Sequence, residues 1–166
     1  MSKLQRFFEP NQTCFVTSVT AGRQPLLLIN PKLLIRATRT ALRKSETSVI
    51  AWVILPDHFH AVFSSPCADI PKLMRGIKLS FTMQFQSMVR ESGGLWQHRY
   101  WDHIVRSEED LRKCLDYIHY NPVKHGYANA PNLWRYSSFR TLHPTSYTER
   151  GAAKWAIGQD GADWGE

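Results

Sequence analysis

Two histidines separated by one apolar residue, His58-Phe59-His60, are the residues of this sequence best suited to metal chemistry. They follow Pro56-Asp57 and begin an alternating run that predicts a β-strand. Because side chains alternate across a strand, both imidazoles lie on one face and Phe59 lies on the other. Two histidines that bind the same metal ion must lie on one face in this way. By itself, the pair fits equally well two exposed strand histidines or one histidine that caps the preceding turn.

A second group of polar side chains lies in residues 116–126, which read Asp-Tyr-Ile-His-Tyr-Asn-Pro-Val-Lys-His-Gly. Tyr117 and Asn121 are four residues apart and share one face of a helix, whereas His119 and Tyr120 point elsewhere. A helix packed beside the sheet would bring the tyrosine hydroxyl and the amide oxygen to the histidine face. The alternative is that Tyr117 is an ordinary amphipathic-helix residue and that Asn121 only ends the helix before Pro122.

Positive charge and aromatic rings indicate a polyanionic partner. The 166 residues include 21 Lys and Arg against 14 Asp and Glu, a formal net charge of +7, which leaves DNA, RNA or an anionic membrane. Trp96, Tyr100 and Trp101 could stack on unpaired bases, while packing is the better interpretation for Trp134. A charged helix face is often only solvated. The cations that could follow a phosphate backbone are Arg36, Arg39, Arg43, Lys44, Lys72, Arg75, Lys78, Arg99, Arg106, Lys124 and Arg135.

The composition predicts one folded domain. Hydrophobic residues make up 43% of the chain, enough for a core without disulfides or metals. No stretch has the length of a signal peptide or a membrane span, so we expect a cytoplasmic protein. Cys14, Cys67 and Cys114 form no CxxC pair, and we expect three reduced core thiols. The domain is expected to span residues 1–142, with residues 143–166 as a tail or accessory element.

The order of predicted elements indicates the fold class. β-Branched alternation, amphipathic spacing and turn residues predict a βαββαβ order and a third helix that begins after Ser107 and ends near Asn121. This order is typical of a ferredoxin-like α+β sandwich, an antiparallel sheet with helices on one face, here followed by the C-terminal helix that carries Tyr117. The predicted strands cover residues 13–20, 48–55, 58–63 and 103–106, and the first two helices begin at Pro31 and cover 70–90.

Three ordered strings resemble those of a known family. They are residues 51–60 (Ala-Trp-Val-Ile-Leu-Pro-Asp-His-Phe-His), residues 95–103 (Leu-Trp-Gln-His-Arg-Tyr-Trp-Asp-His) and residues 116–126. Together they resemble the single-tyrosine HUH transposases, and among these the REP-associated tyrosine transposases with an IS200-like transposase domain. The resemblance covers roughly residues 10 to 140.

The resemblance implies a role for each site residue. His58 and His60 would bind a divalent metal, Tyr117 would be the nucleophile, and Asn121 would occupy the metal's third position. Relatives among insertion sequences carry glutamine there, which reaches further than asparagine. Mg²⁺ is the expected cofactor and Mn²⁺ should also serve. A zinc site of the hydrolase kind is disfavoured because a third strong ligand is missing.

The resemblance also implies a substrate. The enzyme would cleave and rejoin single-stranded DNA beside hairpins, here repetitive extragenic palindromes (REPs), through a 5′-phosphotyrosine intermediate and without a nucleotide cofactor. We expect a monomer or homodimer with no membrane partner. The alternatives are a catalytically degenerate hairpin-binding module, an RNA-binding domain of the same element order, and a phosphodiesterase that uses water as the nucleophile. The DNA contacts implied are Lys72, Arg75, Lys78, Arg99 and Lys124.

Overall fold

A four-stranded antiparallel sheet is the centre of the fold, with the strand order β2-β3-β1-β4. The computed structural model describes residues 8–90 and 92–143. The strands are β1 (Gln12–Val19), β2 (Ser48–Ile54), β3 (His58–Ser65) and β4 (Trp101–Val105), and the helices are α1 (Pro31–Leu42), α2 (Ile70–Val89), α3 (Glu108–Lys124) and α4 (Phe139–Leu142). The predicted βαββαβ order, followed by a third helix, is confirmed.

The two faces of the sheet are covered by different helices. Phe59 and Phe63 of β3 point into a core that α1 and α2 complete with Leu34 and Ile77. Val62 of β3 points the other way, into a second core that includes residues of α3. The first two helices therefore share one face, as predicted, and α3 lies on the opposite face, which also receives His58 and His60 by alternation.

The third helix extends further than its sequence predicts. Its start at Ser107 is confirmed, because the Ser107 hydroxyl accepts a hydrogen bond from the Asp110 backbone N–H at 3.1 Å. The predicted end near Asn121 is wrong, since α3 continues through Pro122 to Lys124. Pro122 sits in the last turn, where it removes only one helical hydrogen bond, and its ring is buried. Packing therefore outweighs the local preference against helix before proline.

Two other boundaries differ in ways that matter for the surface. The fourth strand begins at Trp101 and ends at Val105, whereas residues 103–106 were predicted, because Trp101 pairs with Thr17 of β1. Cys67 is exposed in the turn after β3, so the prediction of three core thiols is wrong for it, although Cys14 and Cys114 are buried and all three are free. No helix in residues 8–90 and 92–143 combines the length and apolar character that crossing a bilayer requires.

Residues 136–138 extend the sheet at its β2 edge, a feature that the sequence did not predict. The Ile54 N–H donates to the Tyr136 carbonyl at 2.9 Å, and the Ser138 N–H donates to the Trp52 carbonyl at 2.9 Å. This pairing covers part of an otherwise open edge. The tail beyond His143 lies outside the described residues, so the proposed division at residue 142 stays a prediction.

Candidate active site

His58 and His60 lie side by side at the start of β3. Antiparallel pairing sets Thr17 of β1 opposite His60 and Val19 opposite His58. The ring centroids are 4.9 Å apart and the ring planes are nearly perpendicular, at 81°. Both side chains are buried, with 1% and 0% exposure. The strand therefore places the two imidazoles on one face, as the HxH spacing predicts.

A polar neighbour orients each ring through its Nδ1 atom. His58 Nδ1 lies 2.7 Å from Asp57 Oδ1, and His60 Nδ1 lies 2.8 Å from the Thr17 hydroxyl. Burial raises the pKa of Asp57, but hydrogen bonds and charge interactions with His58 and Arg23 outweigh burial and hold this pKa below its usual value. When Nδ1 carries the proton and donates to these oxygens, Nε2 is the nitrogen through which each ring could bind a metal. Metal-binding histidines in proteins are generally held in this way.

Helix α3 brings Tyr117 against the same face of the sheet. Its ring lies 5.2 Å from the His60 ring, edge to face, and 5.9 Å from that of Phe15. Lys124 Nζ donates to the Tyr117 hydroxyl at 3.4 Å and lies 5.0 Å from the centre of the ring. The phenol is thus placed beside one imidazole and one cation.

His125, which the sequence analysis did not single out, lies beside His58. The two ring centroids are 5.2 Å apart. Since Tyr117 contacts His60 and His125 contacts His58, α3 runs antiparallel to β3 across the site. Asn121 is one turn from each and fully buried, with 0% exposure, so the helix places it between them. The signal for His125 was the same four-residue spacing that linked Tyr117 to Asn121.

His119 lies on another side of α3 and holds the helix in place. Its Nε2 atom is 3.1 Å from the Ser138 hydroxyl, which also accepts a hydrogen bond from the Trp52 N–H at 2.9 Å. Burial, together with the charge of His143, lowers the pKa of His119 to about 4. A neutral His119 therefore links α3 to β2 through Ser138 and does not join the histidine pair, in agreement with the predicted helix faces.

Three of the five predicted DNA contacts lie on the face of the sheet opposite the histidine rings. Lys72, Arg75 and Lys78 belong to α2, which covers the opposite face of the sheet, and Arg99 is exposed in the connection before β4. Arg75, Lys78 and Tyr100 help to line a surface groove of about 400 Å³. Lys124, the fifth, lies beside Tyr117. The structure thus separates a cationic groove from the candidate chemical site.

The predicted stacking residues divide into packed and accessible rings. Trp96 packs edge to face on Phe59 and Phe81, with centroids 5.8 Å and 5.3 Å away. Trp134 donates its Nε1–H to the Ile54 carbonyl at 3.0 Å, which fits the packing interpretation. Trp101 is half-buried at the start of the edge strand β4, on the α3 face beside Phe15.

A second group of side chains could also hold a metal ion. His103, Asp110 and Cys114 offer ligand atoms that all lie within 4.8 Å of one another. Burial and the nearby Asp110 carboxylate raise the pKa of Cys114 to about 12, so the group is a thiol at neutral pH. His103 Nε2 lies 2.9 Å from both Asp110 carboxylate oxygens. Without a metal, this contact joins β4 to the first turn of α3.

Comparison with known proteins relates the chain to one family of transposases. The family model described as "Transposase IS200 like" matches residues 23–121. An Escherichia coli K12 protein named REP-associated tyrosine transposase is 32% identical over 155 residues, which cover 89% of this chain and 91% of that protein. A Haemophilus influenzae protein assigned to the same class is 34% identical over 154 residues, which cover 84% of this chain and 86% of the relative.

Solved structures show the same fold. A REP-associated tyrosine transposase, solved bound to a REP hairpin, superimposes with a TM-score of 0.76 and 28% sequence identity, covering 100% of this chain and 94% of the other. A Deinococcus radiodurans protein assigned as a transposase has a TM-score of 0.50 and 19% identity, covering 70% of this chain and 95% of the other. The second likeness concerns the fold alone.

Proposed function

Since the chain belongs to the IS200-like transposase family, and within it to the REP-associated tyrosine transposases, we propose that it cleaves and rejoins single-stranded DNA beside hairpins through a covalent bond to Tyr117. One observation carries the proposal. The Tyr117 ring lies 5.2 Å from the ring of His60, one of two strand histidines that are each oriented through Nδ1. A tyrosine nucleophile beside a metal-binding pair needs this arrangement.

The reaction is a transesterification at phosphorus. The Tyr117 oxygen loses its proton and attacks the scissile phosphodiester, forming a new O–P bond. The bond from phosphorus to the 3′ oxygen breaks, and that oxygen takes up a proton to become a free 3′-hydroxyl. The DNA on the 3′ side of the break stays on Tyr117, joined through its 5′ phosphate as a phosphotyrosine ester. One ester bond is made for each one broken, so a 3′-hydroxyl can attack the intermediate and rejoin DNA without a nucleotide cofactor.

The chain's own residues have distinct tasks in this proposal. Lys124 donates to the Tyr117 hydroxyl and favours the phenolate. Asp57 and Thr17 orient the two imidazoles. His58, His60 and Asn121 would hold a divalent cation, Mg²⁺ or Mn²⁺. When bound, the cation would polarise the phosphate as a Lewis acid.

A DNA hairpin with adjacent unpaired bases is the proposed substrate. The relative with a TM-score of 0.76 was solved bound to a REP hairpin, and this chain carries a formal net charge of +7. We assign Lys72, Arg75, Lys78 and Arg99 to phosphate contacts, with Lys124 at the scissile end. Because the cationic groove and Tyr117 lie on opposite faces, the single strand would pass over the edge strand β4, where Trp101 lies half-buried.

A covalent-adduct assay tests the proposal. The protein is incubated with Mg²⁺ or Mn²⁺ and a single-stranded oligonucleotide that contains a hairpin and a label at its 3′ end, because the 3′ portion stays on the tyrosine. The wild type should give a labelled adduct on a denaturing gel. Tyr117→Phe should give none while binding the hairpin as the wild type does, and the matched control Tyr120→Phe should retain the adduct.

The assay separates the competing interpretations. An adduct that persists in Tyr117→Phe would refute the assignment of the nucleophile. A wild type that binds hairpins without forming an adduct would show a binding module, and cleavage without an adduct would show a phosphodiesterase that uses water.

A further inference from the structure

We propose that His125 is a third imidazole ligand of the divalent cation that His58 and His60 would hold. The inference deepens the proposed function and rests on its requirement for a metal. It starts from the ring contact between His58 and His125, with centroids 5.2 Å apart, whereas the Tyr117 ring contacts His60. His125 therefore stands at the opposite end of the site from the proposed nucleophile.

The spacing of His58 from each of the other two rings fits a shared ion. A metal lies about 2.0–2.1 Å from a ligating imidazole nitrogen, so two rings that meet at one ion at angles of ~90–110° have centroids about 4.5–5.3 Å apart. The His58–His60 distance is 4.9 Å and the His58–His125 distance is 5.2 Å. Both pairs also meet at steep interplanar angles, 81° and 68°, so neither is a parallel stack.

The course of α3 brings this ring to the site. Residues four apart in a helix differ by about 40° around the axis, so Tyr117, Asn121 and His125 form one stripe with Asn121 in the middle. The backbone N–H of His125 donates to the Asn121 carbonyl at 3.1 Å, which fixes His125 at the helix end. Its ring also stacks on Tyr127 with centroids 5.9 Å apart. The imidazole is therefore held at the site by both its backbone and its ring.

A third imidazole changes the metal that the site should prefer. Two histidines and one amide form a weak donor set, and Mg²⁺ was the ion expected for that set. Three ring nitrogens favour Mn²⁺ and, more strongly, Co²⁺ over Mg²⁺. In the sequence, a zinc site of the hydrolase kind was disfavoured because a third strong ligand was missing, and His125 would be that ligand. We infer a site that binds Co²⁺ and Mn²⁺ more tightly than Mg²⁺.

Direct metal binding tests the inference without reference to catalysis. Co²⁺ is titrated into the full-length protein, with affinity measured by calorimetry and the ligand field by visible absorption. We expect the affinity of His125→Ala to fall by at least about 100-fold, since even outer-shell partners of metal ligands contribute 10–100-fold. His60→Ala should fall at least as far, and the matched control His98→Ala, an exposed histidine, should bind as the wild type does.

A second variant guards against an effect on folding. His125→Gln keeps a polar side chain at the helix end and replaces the nitrogen donor by an amide oxygen, which suits Mg²⁺ better than Co²⁺. It should therefore lose more affinity for Co²⁺ than for Mg²⁺. Unfolding of the metal-free variants in urea shows whether either substitution changes stability.

Each outcome bears on a different part of the proposal. Unchanged Co²⁺ affinity and absorption in His125→Ala and His125→Gln would overturn the role of His125 and leave DNA cleavage by Tyr117 standing. Equal losses of Co²⁺ and Mg²⁺ affinity in His125→Gln would also overturn it, because a nitrogen ligand must discriminate between the two. A wild type that binds no divalent ion but forms the Tyr117 adduct would overturn both this inference and the metal requirement.

Discussion

The two strand histidines are oriented by chemically different partners. His58 contacts the carboxylate of Asp57, the residue before it, whereas His60 contacts the hydroxyl of Thr17 on the neighbouring strand. A carboxylate partner raises the basicity of an imidazole more than a hydroxyl does. In the proposed metal site, His58 would therefore be the stronger of the two donors, and it is also the ring that His125 approaches.

Lys124 offers a test of how the nucleophile is activated. Its ammonium group lies 3.4 Å from the Tyr117 hydroxyl, and in the proposed reaction its charge would favour the phenolate. We expect Lys124→Gln to slow adduct formation by about tenfold, roughly 1.4 kcal/mol in the barrier, with a much smaller effect on hairpin affinity. Single-turnover rates at saturating protein, together with binding titrations, measure the two effects separately.

The control for this prediction lies on the same helix. Lys113→Gln removes the same charge from α3 but at an exposed position that is paired with Glu109. Equal slowing by the two substitutions, or a loss confined to binding in Lys124→Gln, would show that Lys124 acts only through its charge on DNA.

At the scale of elements, alternation and amphipathic spacing were enough to predict the order of strands and helices. His58, Phe59 and His60 were assigned to the correct faces because strand geometry alone decides this. The end of α3 was not predictable in the same way. The rule for residues before proline is local, whereas the burial of Pro122 against the rest of the fold is a tertiary effect. Because the helix was predicted to end near Asn121, His125 was not placed on the same helix face as Tyr117 and Asn121.

Other parts of the site depend on contacts between distant segments. The pairing of residues 136–138 with β2 and the bond between His119 and Ser138 join residues with no shared motif. The groove lined by Arg75 and Tyr100 forms only because α2 lies next to the connection before β4. Sequence spacing gives the face of one element, and it does not give the distance between two.

Asp69 joins α2 to the sheet and makes the stability of the fold depend on pH. Its carboxylate accepts hydrogen bonds from the Thr47 and Ser65 hydroxyls at 2.6 Å and 2.8 Å. Burial raises the pKa of Asp69, but these bonds and the charge of Lys72 lower it below the ordinary value of 3.8. The ionised form is thus favoured by folding. Its contribution is present above pH 3.8 and is lost as the pH falls through the lower folded-state pKa.

We expect Asp69→Asn to lower the free energy of unfolding by about 1 kcal/mol at pH 7, because hydrogen bonds to an ionised carboxylate are replaced by weaker ones to a neutral amide. The difference from the wild type should shrink as the pH falls below 3.8, where the unfolded chain takes up the proton, and should stop changing once the native carboxyl is also neutral at lower pH. Urea unfolding at a series of pH values measures it, with Glu9→Gln as an exposed control. A difference of constant size down to the acid limit would contradict the role of the charge.

At the scale of the whole molecule, the proposed function places DNA binding and DNA chemistry on opposite faces of one sheet. The cations of α2 lie on the face that α1 shares, and Tyr117 belongs to α3, which covers the other face. The edge strand β4 separates the two, and the connection that leads into it carries Arg99 and Tyr100. A hairpin held in the groove would keep its duplex away from Tyr117 and deliver only the adjoining single strand. We therefore expect the protein to prefer hairpins with a single-stranded flank over blunt duplex.

The salt dependence of binding tests this arrangement. Arg75 is exposed in the groove, and its guanidinium should contact a phosphate. Arg75→Ala should weaken cognate and scrambled hairpins equally and reduce the slope of log affinity against log salt by up to about one unit, since each neutralised phosphate contributes roughly 0.7–0.9. Arg75 is a cleaner probe than Lys78, which also donates to the Gln97 carbonyl at 2.8 Å.

The control is Arg36→Ala, which removes an exposed charge of the same kind from α1. Fluorescence anisotropy across a salt series measures both slopes. An unchanged slope with lost discrimination between hairpins would mean that Arg75 reads bases. Equal effects of Arg75→Ala and Arg36→Ala would mean that net charge alone attracts DNA. Equal affinity of the wild type for hairpins and for blunt duplex would refute the path over β4.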